Sequence, residues 1–192
     1  LPSQLFAMNP LLAGTPAYTG INLSNNQLAA LPSDLFAKNL LLATIDFSNN
    51  KITSLASDQF AMNPNLLDVD FSNNILKAIQ VGTFVNNSKL ETLNLADSVA
   101  ANLYPGCNYF NAGVLPSSGV IKNLDLSNNK MIFHPNAFQG INAKVKLQYI
   151  NDVYSYRHNL IIDVSSTYLG MKPNANYPDC FGLLTRDEDL FK

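Results

Sequence analysis

At 192 residues the chain has the length of one ordinary domain or one elongated array, enough for a substantial core. Apolar residues make up 47% and charged residues only 14%, which excludes disorder as the main state. A net charge of −2 leaves no electrostatic footprint for nucleic acid, and no apolar run approaches the roughly 18 residues of a membrane span. Asparagine is the anomaly: 26 of them in so apolar a chain mean that some structural role consumes the residue.

The first element is a repeat. Leu-Pro-Ser-Gln-Leu-Phe-Ala-Met-Asn at 1–9 returns as Leu-Pro-Ser-Asp-Leu-Phe-Ala-Lys-Asn at 31–39, so the sequence starts inside a repeated segment and is expected to be a piece of something longer. An insertion around 13–18, carrying Gly14 and Pro16, precedes the first strand. Ile21/Leu23, Ile45/Phe47, Val69/Phe71, Leu93/Leu95 and Leu124/Leu126 then alternate with polar residues, the period-two mark of strands with one buried face. Most of these strands run into Ser-Asn-Asn, and the closing asparagines Asn26, Asn50 and Asn74 lie 24 residues apart. Ser98 takes the fourth place, and Asn129 the fifth after a gap of 31. A second column keeps step, an apolar residue five positions before a Phe: Leu1/Phe6, Leu31/Phe36, Leu55/Phe60, Ile79/Phe84 and Phe133/Phe138.

Equal spacing predicts that each strand stacks on its equivalent in the next coil, giving a parallel sheet with rungs ~4.8 Å apart. Where the chain leaves the strand, a short amide with donors and an acceptor is suited to satisfy backbone groups of the adjacent coil. Asn26, Asn50, Asn74 and Asn129 are therefore expected to form a ladder, and Asn50→Leu to cost roughly 1–3 kcal/mol through unsatisfied amides. The Phe column is assigned to the inside of the opposite wall.

Later in the chain the pattern breaks. After the fourth strand, the stretch 99–120 inserts Tyr104-Pro105-Gly106-Cys107-Asn108-Tyr109-Phe110. It reads either as an ordered excursion with a functional role or as a tolerated insertion with Phe110 standing in the Phe column. From about residue 143 the register is lost. The segment 151–161 reads as one more coil, with Tyr154 and Tyr156 inward and Asn159 on the ladder; the remainder of 143–192 reads as a terminal cap or a distinct binding surface.

These locked columns resemble the leucine-rich repeat family, whose pattern is L-x-x-L-x-L-x-x-N-x-L. The 24-residue period and the late Phe are similar to a subtype of extracellular and cell-surface members, while the plant pattern with Gly-x-Ile-Pro is not matched. The resemblance covers residues 1–142. It implies an α/β-type solenoid, a leucine-rich-repeat horseshoe with a parallel β-sheet on the concave face, mostly irregular or 3-10 convex segments and little α-helix. A degenerate repeat and a cap-like region are expected over 143–192. The resemblance also implies a role in binding other macromolecules.

Candidate partner-binding residues follow from the strand positions that alternate with the buried ones. Asp46, Asp68, Asp70, Glu91, Asn94 and Asp125 are expected on the concave face with Asp97 nearby, against a single Lys122, forming an acidic surface for a basic partner or a weak calcium site. The same Asp or Asn also fits the ordinary repeat of the family. Trp is absent, and no Tyr or Arg falls on this face in the regular repeats, so hot-spot anchors shift to the loop, where Tyr104, Cys107 and Tyr109 are the candidates. Cys107 and Cys180 have three readings: paired with each other, buried and reduced, or bonded to absent partners. The extracellular look implied by the resemblance favours the pair. Two glycosylation sequons occur, at Asn22 and Asn86, with Asn86 preferred because it follows Phe84 in a convex turn. Cys107 with His134 or His158 makes a nucleophile pair by residue type only, and neither a Gly-rich phosphate loop nor a metal-spaced cluster occurs. No enzyme, cofactor or metal is expected.

The expected function is a non-catalytic extracellular or cell-surface recognition or adhesion module, part of a receptor ectodomain. The alternative is a structural subunit of a surface layer, filament or larger extracellular assembly. The expected partner is another protein, or the same protein in an assembly.

Overall fold

A computed structural model describes residues 1–2, 5–9, 20–77, 79–98, 109–110, 113–116, 121–126, 129, 132–133, 144–148 and 159–163. Among the described residues nine short strands appear, in chain order β1 (Gly20–Asn22), β2 (Thr44–Asp46), β3 (Asp68–Asp70), β4 (Thr92–Asn94), β5 (Tyr109–Phe110), β6 (Asn123–Asp125), β7 (Ile132–Phe133), β8 (Lys144–Gln148) and β9 (Asn159–Asp163). Seven of them form one sheet in the order β1-β2-β3-β4-β6-β8-β9, and β5 pairs with β7 in a separate parallel pair. Every pairing from β1 to β8 is parallel, and Ile21, Ile45, Val69, Leu93, Leu124 and Val145 stand in one register row. The expected solenoid of stacked coils is therefore the observed one.

Two features hold each rung in place. Backbone pairing continues past the strands, with the amides of Leu23, Phe47, Phe71 and Leu95 each donating at 2.8 Å to the carbonyl of the strand-end residue one coil on. Inward side chains then close the coil from three sides. Ile45, Val69, Leu93 and Leu124 come from the strands, Leu42, Leu66, Leu90 and Ile121 from the approach to them, and Phe36, Phe60 and Phe84 from the opposite wall. The wall column stacks face to face, Phe6 on Phe36 at 5.5 Å, Phe36 on Phe60 at 6.5 Å and Phe60 on Phe84 at 5.5 Å. Phe47 and Phe71 form a second stack at 5.0 Å and lean on the first. The convex segments are chained turns with i→i−3 bonds such as Ala37 N to Asp34 O and Asn39 N to Phe36 O. No helix occurs among the described residues.

The asparagine ladder is present and works in both directions. Asn50 Nδ2 donates to Leu23 O of the preceding coil and to Phe47 O of its own, while Asn50 Oδ1 accepts from Leu28 N at 3.0 Å. Asn74 repeats this with Phe47 O, Phe71 O and Ile52 N, and Asn129 with Leu95 O, Leu126 O and Ser98 N. Ser98 is too short to span the gap. Its hydroxyl reaches only Leu95 O, and Leu76 N bonds instead to the Ser98 carbonyl.

Three further columns account for asparagines that the ladder alone leaves over. The first asparagine of each pair, Asn25, Asn49 or Asn73, holds a left-handed backbone at φ 57, 56 or 54°, with Asp97 at 51° in the fourth coil. Asparagine tolerates that region better than other side chains with a Cβ. A second ladder runs beside the Phe column: Asn39, Asn63 and Asn87 each send Nδ2 to two carbonyls of the preceding coil. Its members are Phe-x-x-Asn, at 6–9, 36–39, 60–63 and 84–87. Asn22 and Asn94 belong to a fourth column at the strand ends. Together the columns hold half of the 26 asparagines.

The far end differs from expectation at one point. β8 adds a parallel rung beside β6, but Asn159 opens β9, which runs antiparallel to β8 with Asn159 opposite Gln148. Asn159 is thus not the ladder residue of a further parallel coil. Tyr154 and Tyr156 lie outside the described residues.

Candidate recognition surface

The register brings the predicted acidic residues together. Asp46 pairs with Asp70, Asp70 with Asn94 and Asn94 with Asp125, one per rung on the outward face of the sheet, all half-buried. Asp68, two residues before Asp70, shares that face, and Glu91 immediately precedes β4. These positions are outward because Ile45, Val69 and Leu93 between or beside them point into the core.

Local chemistry gives the central column a turn-forming job. Oδ1 of Asn22, Asp46, Asp70 and Asn94 accepts the backbone N–H two residues on, at 2.9, 2.8, 2.7 and 3.1 Å. This Asx turn bends the chain out of the strand, and either residue type supplies it. Asp70 also accepts from Asn94 Nδ2 at 2.9 Å through its other oxygen, which ties rung to rung. Glu91 is bonded across coils to Lys122 at 2.6 Å, an exposed pair worth about 0–1 kcal/mol. Asp97, expected beside the acidic face, instead occupies the left-handed turn position. Among the described residues no group of three or more His, Cys, Asp or Glu side chains is arranged to hold a metal ion.

The insertion after β4 is built into the scaffold at its return. Gly82 N donates to Gly113 O at 2.9 Å and Phe84 N to Val114 O at 3.0 Å, and Val114 and Leu115 are buried. They follow Phe84 along the convex wall. Phe110, which one of the two readings of the insertion put in that column, lies in β5, paired with Phe133 of β7. Tyr109 shares β5, whereas Tyr104, Cys107, Cys180, His134 and His158 lie outside the described residues. Asn22 and Asn86 are both exposed.

Sequence reasoning missed the convex ladder and the Gly113–Leu115 anchor. The Phe-x-x-Asn recurrence was the available signal for the first. For the second there is none, because Val114 lies 30 residues after Phe84 and so falls outside the period.

One comparison decides the family. The pattern of the BspA type leucine rich repeat region matches residues 13–111 in 6 copies, just over half of the chain. The chain belongs to the BspA-type leucine-rich repeat family. No curated protein matches it. Among solved structures, these BspA-type repeats are similar to the leucine-rich-repeat ectodomain of the receptor kinase SOBIR1 from Arabidopsis thaliana, with a TM-score of 0.49 and 16% identity over 66% of this chain and 67% of that one. Toll, in the Toll–Spatzle complex of Drosophila, gives 0.47 and 22% identity over 67% of this chain and 19% of its own. The leucine-rich repeat domain of APL1B gives 0.47 and 19% identity over 78% and 51%. The chain thus spans about a fifth of the Toll chain and half of the APL1B domain. No helix among the described residues is long and apolar enough to cross a membrane.

Proposed function

We propose that the chain is a non-catalytic recognition or adhesion module of the cell exterior, whose protein partner docks on the insertion between β4 and β6. The observation that carries this reading is the anchoring of 113–116 in the convex wall. An excursion that leaves from a rung of the sheet and returns to buried, hydrogen-bonded positions presents its residues from fixed points, which lowers the ordering cost of binding. Tyr104, Cys107 and Tyr109 fall within that excursion. A bond from Cys107 to Cys180 would tie it to the C-terminal region, and intact mass with and without reductant tests that pairing.

The test is a deletion. Removing 101–108 while keeping β5 and 113–116 is expected to abolish capture from a panel of purified extracellular proteins and to leave the unfolding midpoint unchanged. A wider cut through 113 would remove the anchor itself and confuse the two effects. Undiminished capture would reject the insertion as the docking site.

A second surface is supported by the carboxylates of Asp46, Asp68 and Asp70 on two adjacent rungs, half-exposed and suited to a basic segment. Since asparagine builds the same Asx turn, the double change D46N/D68N removes charge and keeps the bend, and it spares Asp70, whose second oxygen accepts from Asn94. Partner binding should weaken and lose its salt dependence while stability holds. Binding that keeps both its strength and its salt slope would assign the column to turn formation alone.

A further inference from the structure

Two complete glycosylation sequons occur in the chain, and the fold places them on different sides. On the strand side, the Asx turn is made equally by Asn and Asp, and by Ser or Ala at its third residue. Turn geometry therefore does not choose among them. Past the first rung, however, the triplet Asn-x-Ser is never complete. Asp stands with Ser at 46/48, 70/72 and 125/127, and Asn stands with Ala at 94/96. Only Asn22-Leu23-Ser24, on the end strand β1, is a full sequon of this face.

The other is Asn86-Asn87-Ser88, across the coil in the convex turn between Phe84 and Leu90. Its middle residue is drawn inward by the second ladder: Asn87 is 0% exposed and donates to Phe60 O at 3.0 Å and Asn63 O at 2.9 Å. The inward pull on Asn87 turns its two neighbours outward, and both Asn86 and Ser88 are exposed. An oligosaccharide joined to Asn86 Nδ2 projects into solvent and displaces no packed group.

We propose that Asn86 is an acceptor for an N-linked oligosaccharide, carried on the convex wall while the strand face from β2 to β6 stays free of glycan. The proposal rests on the reading of the chain as a protein of the cell exterior. To separate the two, the full chain is secreted from a eukaryotic host with a leader and an added C-terminal Asn-Gly-Thr reporter. Only chains whose reporter carries glycan, and which have therefore passed through the secretory lumen, are digested and mass-mapped. The peptide spanning 78–89 is expected to carry a glycosidase-sensitive mass that both S88A and N86Q abolish. Unchanged unfolding midpoints in the two variants would show that the loss is chemical and not a folding failure. A bare 78–89 peptide on reporter-glycosylated chains would overturn the proposal. Where the native protein resides is read separately, by fractionating its source cells.

Discussion

Asparagine does four different jobs here, and the difference between them is measurable. Asn50 is buried, with Nδ2 on Leu23 O and Phe47 O and Oδ1 on Leu28 N, so Asn50→Leu strands groups in two coils at once. Asn26 occupies the same place in the first coil, is exposed, and donates only to Leu23 O and Ser24 O of its own turn. Urea unfolding should therefore show Asn50→Leu losing roughly 1–3 kcal/mol, the cost of buried unsatisfied amides, and Asn26→Leu losing well under half of that. Equal losses would mean that the amide acts through its own turn and not between coils. The convex amides are more one-sided: Asn39 Oδ1 and Asn87 Oδ1 have no hydrogen-bond partner among the described residues, so that column is held by its donors. Aspartate cannot replace asparagine there, although it stands at the strand ends at 46 and 70, where the Asx turn itself needs only an acceptor.

Among the elements, the convex wall depends most on continuity. Phe60 lies between Phe36 and Phe84 in the stack and also meets Phe71, so its removal opens a cavity shared by neighbouring coils. Phe60→Ala should cost about 3–5 kcal/mol by denaturant unfolding. Gly82 bears on the same wall by backbone geometry. It sits at φ +93°, and a Cβ there would meet Ser57 O at 3.2 Å, in the turn that donates to Gly113 O. The anchor of the insertion thus depends on a residue with no side chain, one coil away from the segment it holds.

For the whole molecule, the stacked coils leave several large apolar side chains in solvent. Leu40 and Leu41 are 49% and 48% exposed, Met62 is 55% exposed and Leu67 is 37% exposed, all on two adjacent coils. In the alternative, in which the chain is a structural subunit, neighbours would cover these side chains. Sedimentation of the purified chain across a range of concentrations distinguishes the two functions. A recognition module sediments as a monomer or a defined dimer. A structural subunit forms large assemblies that Leu41→Lys with Leu67→Lys would dissolve.

The period was legible without coordinates because a coil cannot bury its apolar face alone. Ile21, Ile45 and Val69 must recur at 24 residues for their strands to stack, and so must the amides Asn26, Asn50 and Asn74 that bridge them. The register row of the sheet was accordingly fixed by counting. What counting could not reach lies where spacing departs from the period or where one residue type serves several bonds. Asp46 and Asp70 looked like a charged surface, yet their Oδ1 atoms also close Asx turns, a duty visible only once backbone N–H groups have positions. Val114 and Leu115 enter the wall out of step, and β9 turns back antiparallel, because insertion and terminal pairing answer to three-dimensional vacancy in the core and at the sheet edge and not to the repeat. Local periodicity dictated the coil; only tertiary packing decided which side chains the coil leaves free to meet a partner.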